Sequence, residues 1–386
     1  MTLRPPAEGT AEIFVFGGER HPPVLKAVFG RMPDHEPAVL EGMQAVLSRD
    51  HSFAILMPGG SVEGLLLRNM SADDLRRLDY YEAGYEPAQC TVTLSASGQK
   101  VDAFVCLPRY PAEGSGAPFD FAEWTGRWGD TVAEAARDFM KGYDRGTPSE
   151  EQMRRYPLLL IRAGARVRAG RSDPTDIRRS ADAGDVEVLD HRQPYAAYFA
   201  VEEFDLRFRR FDGRMSDVLS RAVFISGDAA VVLPYDPVRD RVLVIEQWRA
   251  GPLARGDRQA WLIEAVAGRV DGGETPEAAA RREAREEAGI DRIDLIPVAN
   301  YYPSPAAKGE YLYTYVGLAD LPDEAAGLGG LPGEGEDIRA HVISFDRLME
   351  LVGSGEVNNA PLLVLAYWLD RNRDRLRDAA RIASGG

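Results

Sequence analysis

The chain of 386 residues has few of the features that mark secreted, membrane or nucleic-acid-binding proteins. Its two cysteines, Cys90 and Cys106, cannot build a disulfide framework, and its five histidines show no spacing typical of zinc ligands. No apolar run is long enough to cross a bilayer, and the first residues do not resemble a secretory signal. Basic residues are outnumbered, with 46 Lys and Arg against 61 Asp and Glu. We therefore expect a cytoplasmic protein that binds neither nucleic acid nor a membrane surface.

The length and the local patterns of the sequence predict two or three domains. Short β-rich runs alternate with turns before residue 111, and one predicted helix begins after the capping residue Ser71. Amphipathic helical patterns follow, and strands return from about Val186. We expect an α/β (α+β) protein in which a mixed sheet packs between helices, with domains 1–120 and 184–386 joined by a helical connector, 121–183.

Three glutamates in the segment GRVDGGETPEAAARREAREEAGI, residues 268–290, give the strongest functional signal. Glu283, Glu286 and Glu287 are spaced i, i+3 and i+4, so their carboxylates share one face of a predicted helix. Neighbouring like charges repel, and a helix that concentrates them is expected to hold a cation. Hard divalent cations such as Mg²⁺ prefer oxygen ligands and commonly share them with substrate phosphates.

The ends of this helix and the fixed positions of the segment fit the same interpretation. Thr275 suits the N-cap and Gly289 suits the C-terminal stop. The segment contains Gly268, Glu274 after five intervening residues, and REAREEAGI after seven more. This pattern resembles the complete signature of the Nudix hydrolases. The alternative is a solvated surface helix in which Arg281, Arg282 and Arg285 pair with the acids.

Residues 186–375 resemble the ADP-ribose pyrophosphatase branch of that family, through segments such as AAVVLPYDPVRDRVLVIEQWR, WLIEAVAG, SPAAKGE and GEDIRAHVIS. The resemblance implies an α/β/α sandwich with a mixed sheet. It also implies Mg²⁺-dependent hydrolysis of ADP-ribose, or of another nucleoside diphosphate sugar, with Mn²⁺ as an alternative cofactor. A sensor that binds ADP-ribose or a related nucleotide without cleaving it is the alternative function. The intact glutamates favour the enzyme.

The resemblance also assigns roles to residues of the segment. It implies that Glu283 and Glu287 are direct metal ligands and that Glu286 shares the metal or the attacking water. The backbone carbonyl of Ala267 matches a further metal ligand of the family. Arg282 is expected to orient the carboxylates rather than to touch the substrate.

A catalytic base is expected on the Gly- and Pro-rich loop GLGGLPGEGED, residues 327–337. Glu334 and Glu336 match the acids that the family places over its metals, and closure of such a loop would bring a carboxylate within reach of water. An ordinary flexible acidic loop is the alternative. The resemblance implies five substrate-binding residues: Arg221, Glu246, Trp248, Arg249 and Glu310. For Trp248 the alternative is a residue at the edge of the core, because it lies near the end of a predicted strand.

The strands expected at 186–224 match those that the family exchanges between protomers. The resemblance therefore implies a homodimer formed through the C-terminal half.

Residues 11–110 resemble the gamma-glutamylcyclotransferase-like proteins through FVFGGERHPPVL and LDYYEAGYEP. That resemblance implies an α+β domain with a β-barrel, and it places the family's catalytic glutamate at Glu82. The loop reads Gly17-Gly18-Glu19 where the family usually has Gly-Ser, and an acid at Glu19 would repel a substrate carboxylate. We expect a retained scaffold or binding role, with an active cyclotransferase as the alternative.

Overall fold

The computed structural model describes residues 10–49, 53–109, 114–170, 174–330 and 335–384. The chain divides into two compact units, Met1–Asp173 and Pro174–Gly386.

The first unit is a mixture of strands and helices. Its strands are β1 (Ala11–Val15), β2 (His35–Ser48), β3 (Ala54–Met70), β4 (Tyr85–Leu94), β5 (Lys100–Pro108) and β6 (Gly114–Pro118). Its α-helices are α1 (Pro22–Phe29), α2 (Ala72–Tyr81), α3 (Phe121–Trp124), α4 (Asp130–Asp144), α5 (Ser149–Arg154) and α6 (Tyr156–Ala169). A 3-10 turn spans Gly17–Arg20, and a π-helical turn spans Thr125–Gly129.

The strands of the first unit form one sheet in the order β3-β1-β5-β4-β2-β6. A further pairing between β2 and β3 closes five of these strands into a barrel. Because side chains alternate across a strand, the two faces of β1 enter different cores. Phe14 packs with Leu66 and Val92 in one core, whereas Ile13 and Val15 pack in a second core together with the helices.

The helices α3 to α6 pack into the second of these cores. Trp124, Phe139, Leu159 and Leu160 are buried in the same cluster as Ile13. The stretch expected to be a connector therefore contributes to the hydrophobic core of the first unit, up to Ala169 in the described residues. The limits proposed for the three domains stay a prediction.

The second unit contains a large sheet, a small sheet and helices. Its strands are β7 (Val186–Ala196), β8 (Ala200–Phe208), β9 (Leu219–Ile225), β10 (Ala229–Asp236), β11 (Arg241–Trp248), β12 (Trp261–Glu264), β13 (Val266–Arg269), β14 (Asp294–Tyr301), β15 (Leu312–Leu318), β16 (Gly327–Gly329) and β17 (Ile338–Ser344). Its α-helices are α7 (Ala250–Arg255), α8 (Pro276–Ala288), α9 (Phe345–Ser354) and α10 (Ala360–Ser384), and a 3-10 turn spans Asp323–Ala325.

The large sheet has the order β14-β15-β10-β11-β17-β16, with β12 added to β11 and β13 added to β10. It is mixed, because β10 runs parallel to β15 and antiparallel to β11 and β13. Alternating residues of β10 fill the cores on its two faces. Val231 and Leu233 pack with α9 and α10, whereas Ala230 and Val232 pack with α8. The expected mixed sheet between helices, and with it the α/β class, is confirmed.

The small sheet, β7-β8-β9, is antiparallel and carries many exposed apolar side chains. Its strand β9 is joined to the segment before β15 by hydrogen bonds between Phe224 and the backbone of Ala307 and Gly309. Throughout the described ranges, no helix combines the length and the apolar character needed to cross a membrane.

Candidate active site

Helix α8 begins and ends where the sequence predicts. The side chain of Thr275 accepts a hydrogen bond from the backbone N–H of Ala278 at 3.2 Å, and Pro276 occupies the first turn. Gly289 adopts the left-handed conformation, with φ of 65°, that ends a helix readily when no side chain is present. The face of α8 that meets the large sheet is the one that carries Ala279, Ala280, Ala284 and Glu287, which are buried.

That face places two acids directly against the backbone of β13. Glu287 is only 3% exposed, and its carboxylate accepts a hydrogen bond of 3.0 Å from the N–H of Ala267. Glu283 packs on Gly268, where a Cβ atom would overlap with the carboxylate. Glu286 is more accessible. The predicted alignment of the three acids on one helix is therefore present, and two of them lie beside the Ala267–Gly268 peptide.

Arg282 links the acids to the loop that precedes the helix. Its guanidinium donates to Glu283 at 2.6 Å and to Glu286 at 3.1 Å. It also donates to Glu274 at 3.1 Å and 3.2 Å, and to the carbonyl of Arg269 at 2.9 Å. A planar guanidinium with five donors can hold several acceptors in a fixed arrangement. Arg282 therefore contacts the acids directly, and its orienting role stays a prediction.

The electrostatics of the acids follow from their burial. Desolvation raises the pKa of Glu283 to about 7, and the neighbouring Glu286 and Glu336 raise it while Arg282 lowers it. Desolvation likewise raises the pKa of Glu287 to about 8, with Glu283 and Glu336 adding repulsion. The side chains around Glu283 and Glu287 therefore compensate the negative charge of their ionised carboxylates only in part. A bound cation would stabilise the ionised forms.

The donor set fits a hard divalent cation. Carboxylates of Glu283, Glu286 and Glu287 and the peptide at Ala267 offer oxygen ligands of the kind that Mg²⁺ prefers. As the side chains stand, no group of three or more His, Cys, Asp or Glu within the described ranges is arranged to hold a metal. Arg282 contacts two of the acids instead. Cation binding would thus require local side-chain rearrangement.

Of the two candidates for the catalytic base, Glu334 and Glu336, the structure describes only Glu336. Glu334 lies outside the described residues. Glu336 is close enough to raise the pKa of both Glu283 and Glu287, so it lies near the acids of α8. Part of the segment expected to be a loop forms the short strand β16, which pairs with β17. A Cβ atom at Gly329 would overlap with the carbonyl of Glu287, so this strand packs closely on the end of α8.

Three of the expected substrate-binding residues lie in strand β11 or directly after it. Arg249, which follows the strand, donates to Glu264 at 2.7 and 2.8 Å and lowers the pKa of Glu287, so its charge acts on the same site. Glu246 contacts His341 at 3.0 Å. Trp248 is 47% exposed and lies opposite Trp261, which is 51% exposed, in the β11–β12 pair.

Trp261 was not anticipated from the sequence. Directly opposite residues of antiparallel strands project to the same side of the sheet, so the two indoles are neighbours on one surface. The sequence shows Trp261 at the start of the segment WLIEAVAG. Only the register between β11 and β12 shows that it lies opposite Trp248.

The remaining candidates lie near the small sheet. Arg221 is an exposed residue of β9 whose guanidinium donates to the carbonyl of Ser220. Glu310 accepts a hydrogen bond of 2.9 Å from Ser226 and lies 3.6 Å from Lys308. Arg269, another residue that sequence reasoning missed, stacks over Tyr198 at 3.9 Å and joins the small sheet to the loop before α8.

In the first unit, Glu82 follows α2, whose predicted cap Ser71 is confirmed by reciprocal hydrogen bonds with Asp74. Glu82 is 7% exposed and shares a hydrogen bond with Glu19. Burial raises the pKa of Glu82 to about 7. A buried carboxyl with a pKa near neutrality can exchange a proton at physiological pH.

Each of the two units contains a region that matches a known protein family. Residues 226–363 match the family described as NUDIX domain, and residues 13–126 match the family described as gamma-glutamyl cyclotransferase, AIG2-like. The ADP-ribose pyrophosphatase of Escherichia coli K12 is 37% identical over 205 residues, which are 53% of this chain and 97% of that protein. The chain belongs to the Nudix hydrolases, with an AIG2-like gamma-glutamyl cyclotransferase domain preceding the hydrolase domain.

Two further relatives extend the comparison. The ADP-ribose pyrophosphatase of Haemophilus influenzae is 32% identical over 50% of this chain and 90% of its own length. The GDP-mannose pyrophosphatase of Salmonella paratyphi B is 33% identical over 39% of this chain and 76% of its own length. Both are named for cleavage of a nucleotide sugar, and hydrolysis of this class of compound is the activity that the similarities support.

The packing of Glu283 on Gly268 yields a prediction. Gly268→Ala should displace the carboxylate and lower kcat for nucleotide-sugar hydrolysis by about tenfold or more, since small misplacements at an active site are costly. Steady-state kinetics and melting curves would measure both effects. Gly353→Ala on α9 is the matched control, because no atom lies within 4 Å of its added Cβ. Equal activity of the two variants would contradict the assignment.

Proposed function

We propose that the second unit hydrolyses ADP-ribose to AMP and ribose 5-phosphate with Mg²⁺, or alternatively Mn²⁺, as cofactor. The observation that carries the proposal is the pair of acids, Glu283 and Glu287, packed on the Ala267–Gly268 peptide. The choice of ADP-ribose is supported by the names of relatives that are 32 to 37% identical to the chain.

In this proposal Glu283, Glu287 and the carbonyl of Ala267 hold the metal, and Glu286 shares the metal or the water. A bound divalent cation would supply charge stabilisation to the diphosphate during water attack. Arg282 is a positioning residue, since it contacts the acids from their own helix. Its several hydrogen bonds keep the helix and the preceding loop in register.

Glu336 is the candidate base that the described residues support. Its charge raises the pKa of Glu283 and Glu287, which supports a position near these acids. A carboxylate there could accept the proton of the attacking water. Glu334 remains a second candidate from the sequence.

The substrate would be held by residues that surround these acids. Arg249 offers a guanidinium whose fork suits diphosphate oxygens, and its partner Glu264 fixes its direction. The exposed indoles of Trp248 and Trp261 offer a surface for an adenine ring. Arg221, Glu246 and Glu310 complete the proposed substrate-binding set.

The first prediction of this proposal concerns the substrate. With Mg²⁺, purified protein should release AMP and ribose 5-phosphate from ADP-ribose more efficiently than it cleaves GDP-mannose, and EDTA should abolish both reactions. Chromatography of the products and comparison of kcat/KM would measure this. Binding of ADP-ribose without any product would instead support a nucleotide sensor, and preference for GDP-mannose would correct the sugar.

A second prediction separates metal ligand from base. Glu287→Gln should lower kcat by about 100-fold, equivalent to about 2.7 kcal/mol, and raise the Mg²⁺ concentration needed for half-maximal rate. Glu336→Gln should lower kcat with little change in that Mg²⁺ requirement. Metal titrations of the rate would measure both quantities.

Glu350→Gln is the control for these variants, because Glu350 is an exposed residue of α9 paired with Arg347. Activity of Glu287→Gln within a few-fold of this control would show that the metal ligands are misassigned. A raised Mg²⁺ requirement in Glu336→Gln would make Glu336 a ligand rather than the base.

We further propose that the chain forms a homodimer through the sheet β7-β8-β9. Exposed apolar side chains concentrate there, including Val186, Val188, Tyr195 and Phe208, and Phe211 beyond β8 is 98% exposed. Large exposed apolar surfaces of this kind commonly mark protein interfaces. The order of the sheet also leaves β7 at an edge, and unpaired strand edges favour association with another chain.

Light scattering after gel filtration should therefore give twice the mass of the chain. Val188→Asp should shift the protein to a monomer, because it would place a charge in the proposed interface. Val238→Asp is the matched control, since Val238 is 65% exposed in the turn between β10 and β11. A wild-type monomer, or a dimer that survives Val188→Asp, would contradict this interface.

A further inference from the structure

A cavity of about 530 Å³ lies in the first unit, between the helices α1, α2 and α4. Cavities of several hundred Å³ are of the size that binds small molecules. The charged residues of its wall are Lys26 of α1, Arg77 of α2, and Arg137, Lys141 and Asp144 of α4. The whole chain has a net charge of −15, so four basic side chains around one cavity are not a general property of its surface. We name this site the basic cavity.

Arg77 is held in place within the wall of the basic cavity. Its side chain is 17% exposed, and its Nε donates a hydrogen bond of 2.6 Å to the carbonyl of Val28 near the end of α1. Its guanidinium lies 5.1 Å from the centre of the Tyr143 ring and 3.7 Å from Asp144, both on α4. Arg77 therefore contacts the other two helices of the cavity, and little side-chain freedom is left for it to lose when a ligand binds.

The acids nearest to the two basic residues of α4 are shared with another arginine. Glu134 pairs with Arg137, and Asp138 pairs with Lys141 at 2.9 Å. Arg166 of α6 pairs with both acids, and its distance to Glu134 is 3.0 Å. Because three cations share two carboxylates, these acids do not neutralise the positive charge of the cavity wall.

Lys26 adds a further positive charge. Among the residues that the structure describes, it has no acidic partner. Asp144 is the one acid of the wall, and its carboxylate is 66% exposed, so water screens much of its charge. Together with Arg166, the basic side chains number five against three acids, which are Asp144 and the two shared carboxylates. The cavity and its flanks therefore carry an excess of positive charge that favours an anionic ligand.

The rest of the wall is apolar. Pro23 and Ala27 of α1 and Met140 of α4 line the cavity beside the basic side chains. A bare inorganic ion would leave this apolar surface without a contact, whereas a ring or an alkyl group would cover part of it. Guanidinium and ammonium groups both bind phosphate oxygens, and the guanidinium fork matches their geometry. The two kinds of wall therefore suit a ligand that has a phosphate group and an organic part.

We propose that the basic cavity binds a small organic phosphate, with its phosphoryl group among Lys26, Arg77, Arg137 and Lys141 and its organic part against the apolar wall. An organic carboxylate of similar size carries one negative charge and would leave more of the positive charge unbalanced. The wall that α4 forms belongs to the stretch that the sequence predicted as a connector, beyond residues 11–110. No covalent step is involved.

The test uses the full-length protein at pH 8 with EDTA, so that no metal ion is available to the second unit. Phenyl phosphate carries two negative charges at this pH, because the second pKa of a phosphate monoester is about 6. Calorimetric titrations with phenyl phosphate, inorganic phosphate and benzoate at one ionic strength would compare an organic phosphate, a bare ion and an organic carboxylate. We expect saturable binding of phenyl phosphate, at least about fivefold tighter than that of the other two. Added NaCl should weaken it.

Three variants link the binding to the basic cavity. Lys26→Gln and Lys141→Gln, at exposed positions, should each weaken phenyl phosphate binding by about threefold. The double variant should weaken it by about tenfold, because two charges next to one ligand are removed. Lys100→Gln is the matched control, since Lys100 is the remaining lysine of the first unit, is exposed and does not line the cavity. Melting curves would verify that each variant is folded.

The proposal is wrong if the wild-type protein shows no saturable binding of phenyl phosphate, or if inorganic phosphate or benzoate binds as tightly. It is also wrong if the double lysine variant binds phenyl phosphate as tightly as Lys100→Gln does, which would place the ligand elsewhere on the chain. These outcomes are independent of nucleotide-sugar hydrolysis, since the titrations contain no free metal ion and all the changed residues belong to the first unit.

Discussion

The contact between the acidic face of α8 and the backbone of β13 is the constraint on which the candidate hydrolase site depends. Glu287 is buried by this contact and accepts the Ala267 N–H, while Glu283 fits only because residue 268 is glycine. Strand β13 is in turn paired with β10, which contributes to the cores on both faces of the large sheet. The positions of the acids are therefore set by the packing of the whole sandwich and not by a flexible loop.

Burial of these acids has an electrostatic cost that the protein offsets only in part. Arg282 contacts Glu283 and Glu286, and Arg249 acts on Glu287, yet desolvation still raises the pKa of both buried acids. A site of this kind favours a cation because the cation relieves repulsion that folding has already imposed. Burial that is unfavourable for the acids by themselves thus increases their preference for a cation.

The Glu19–Glu82 pair follows the same physical rule with different surroundings. In both units, burial holds carboxyls close together and raises their pKa. The acids of α8 lie beside arginines and backbone oxygens, which suits a hard metal ion and phosphate groups. Glu19 of the first unit lies beside aromatic rings instead. The neighbours of a buried acid thus differ between the two units although its burial has the same effect on the pKa.

The sequence by itself determined the helix α8, its ends and the shared face of its three acids, because capping and helical spacing are local properties. The mixed sheet between helices also followed from the order of the patterns. Only tertiary structure decided that Glu287 meets the Ala267 peptide, that Trp261 stands beside Trp248, and that Glu19 contacts Glu82. These pairs join residues from different elements, and strand register and helix packing, which no local pattern encodes, bring them together. The helices expected to connect two domains show the same limit, since an amphipathic pattern predicts an apolar face but does not identify the core that buries it.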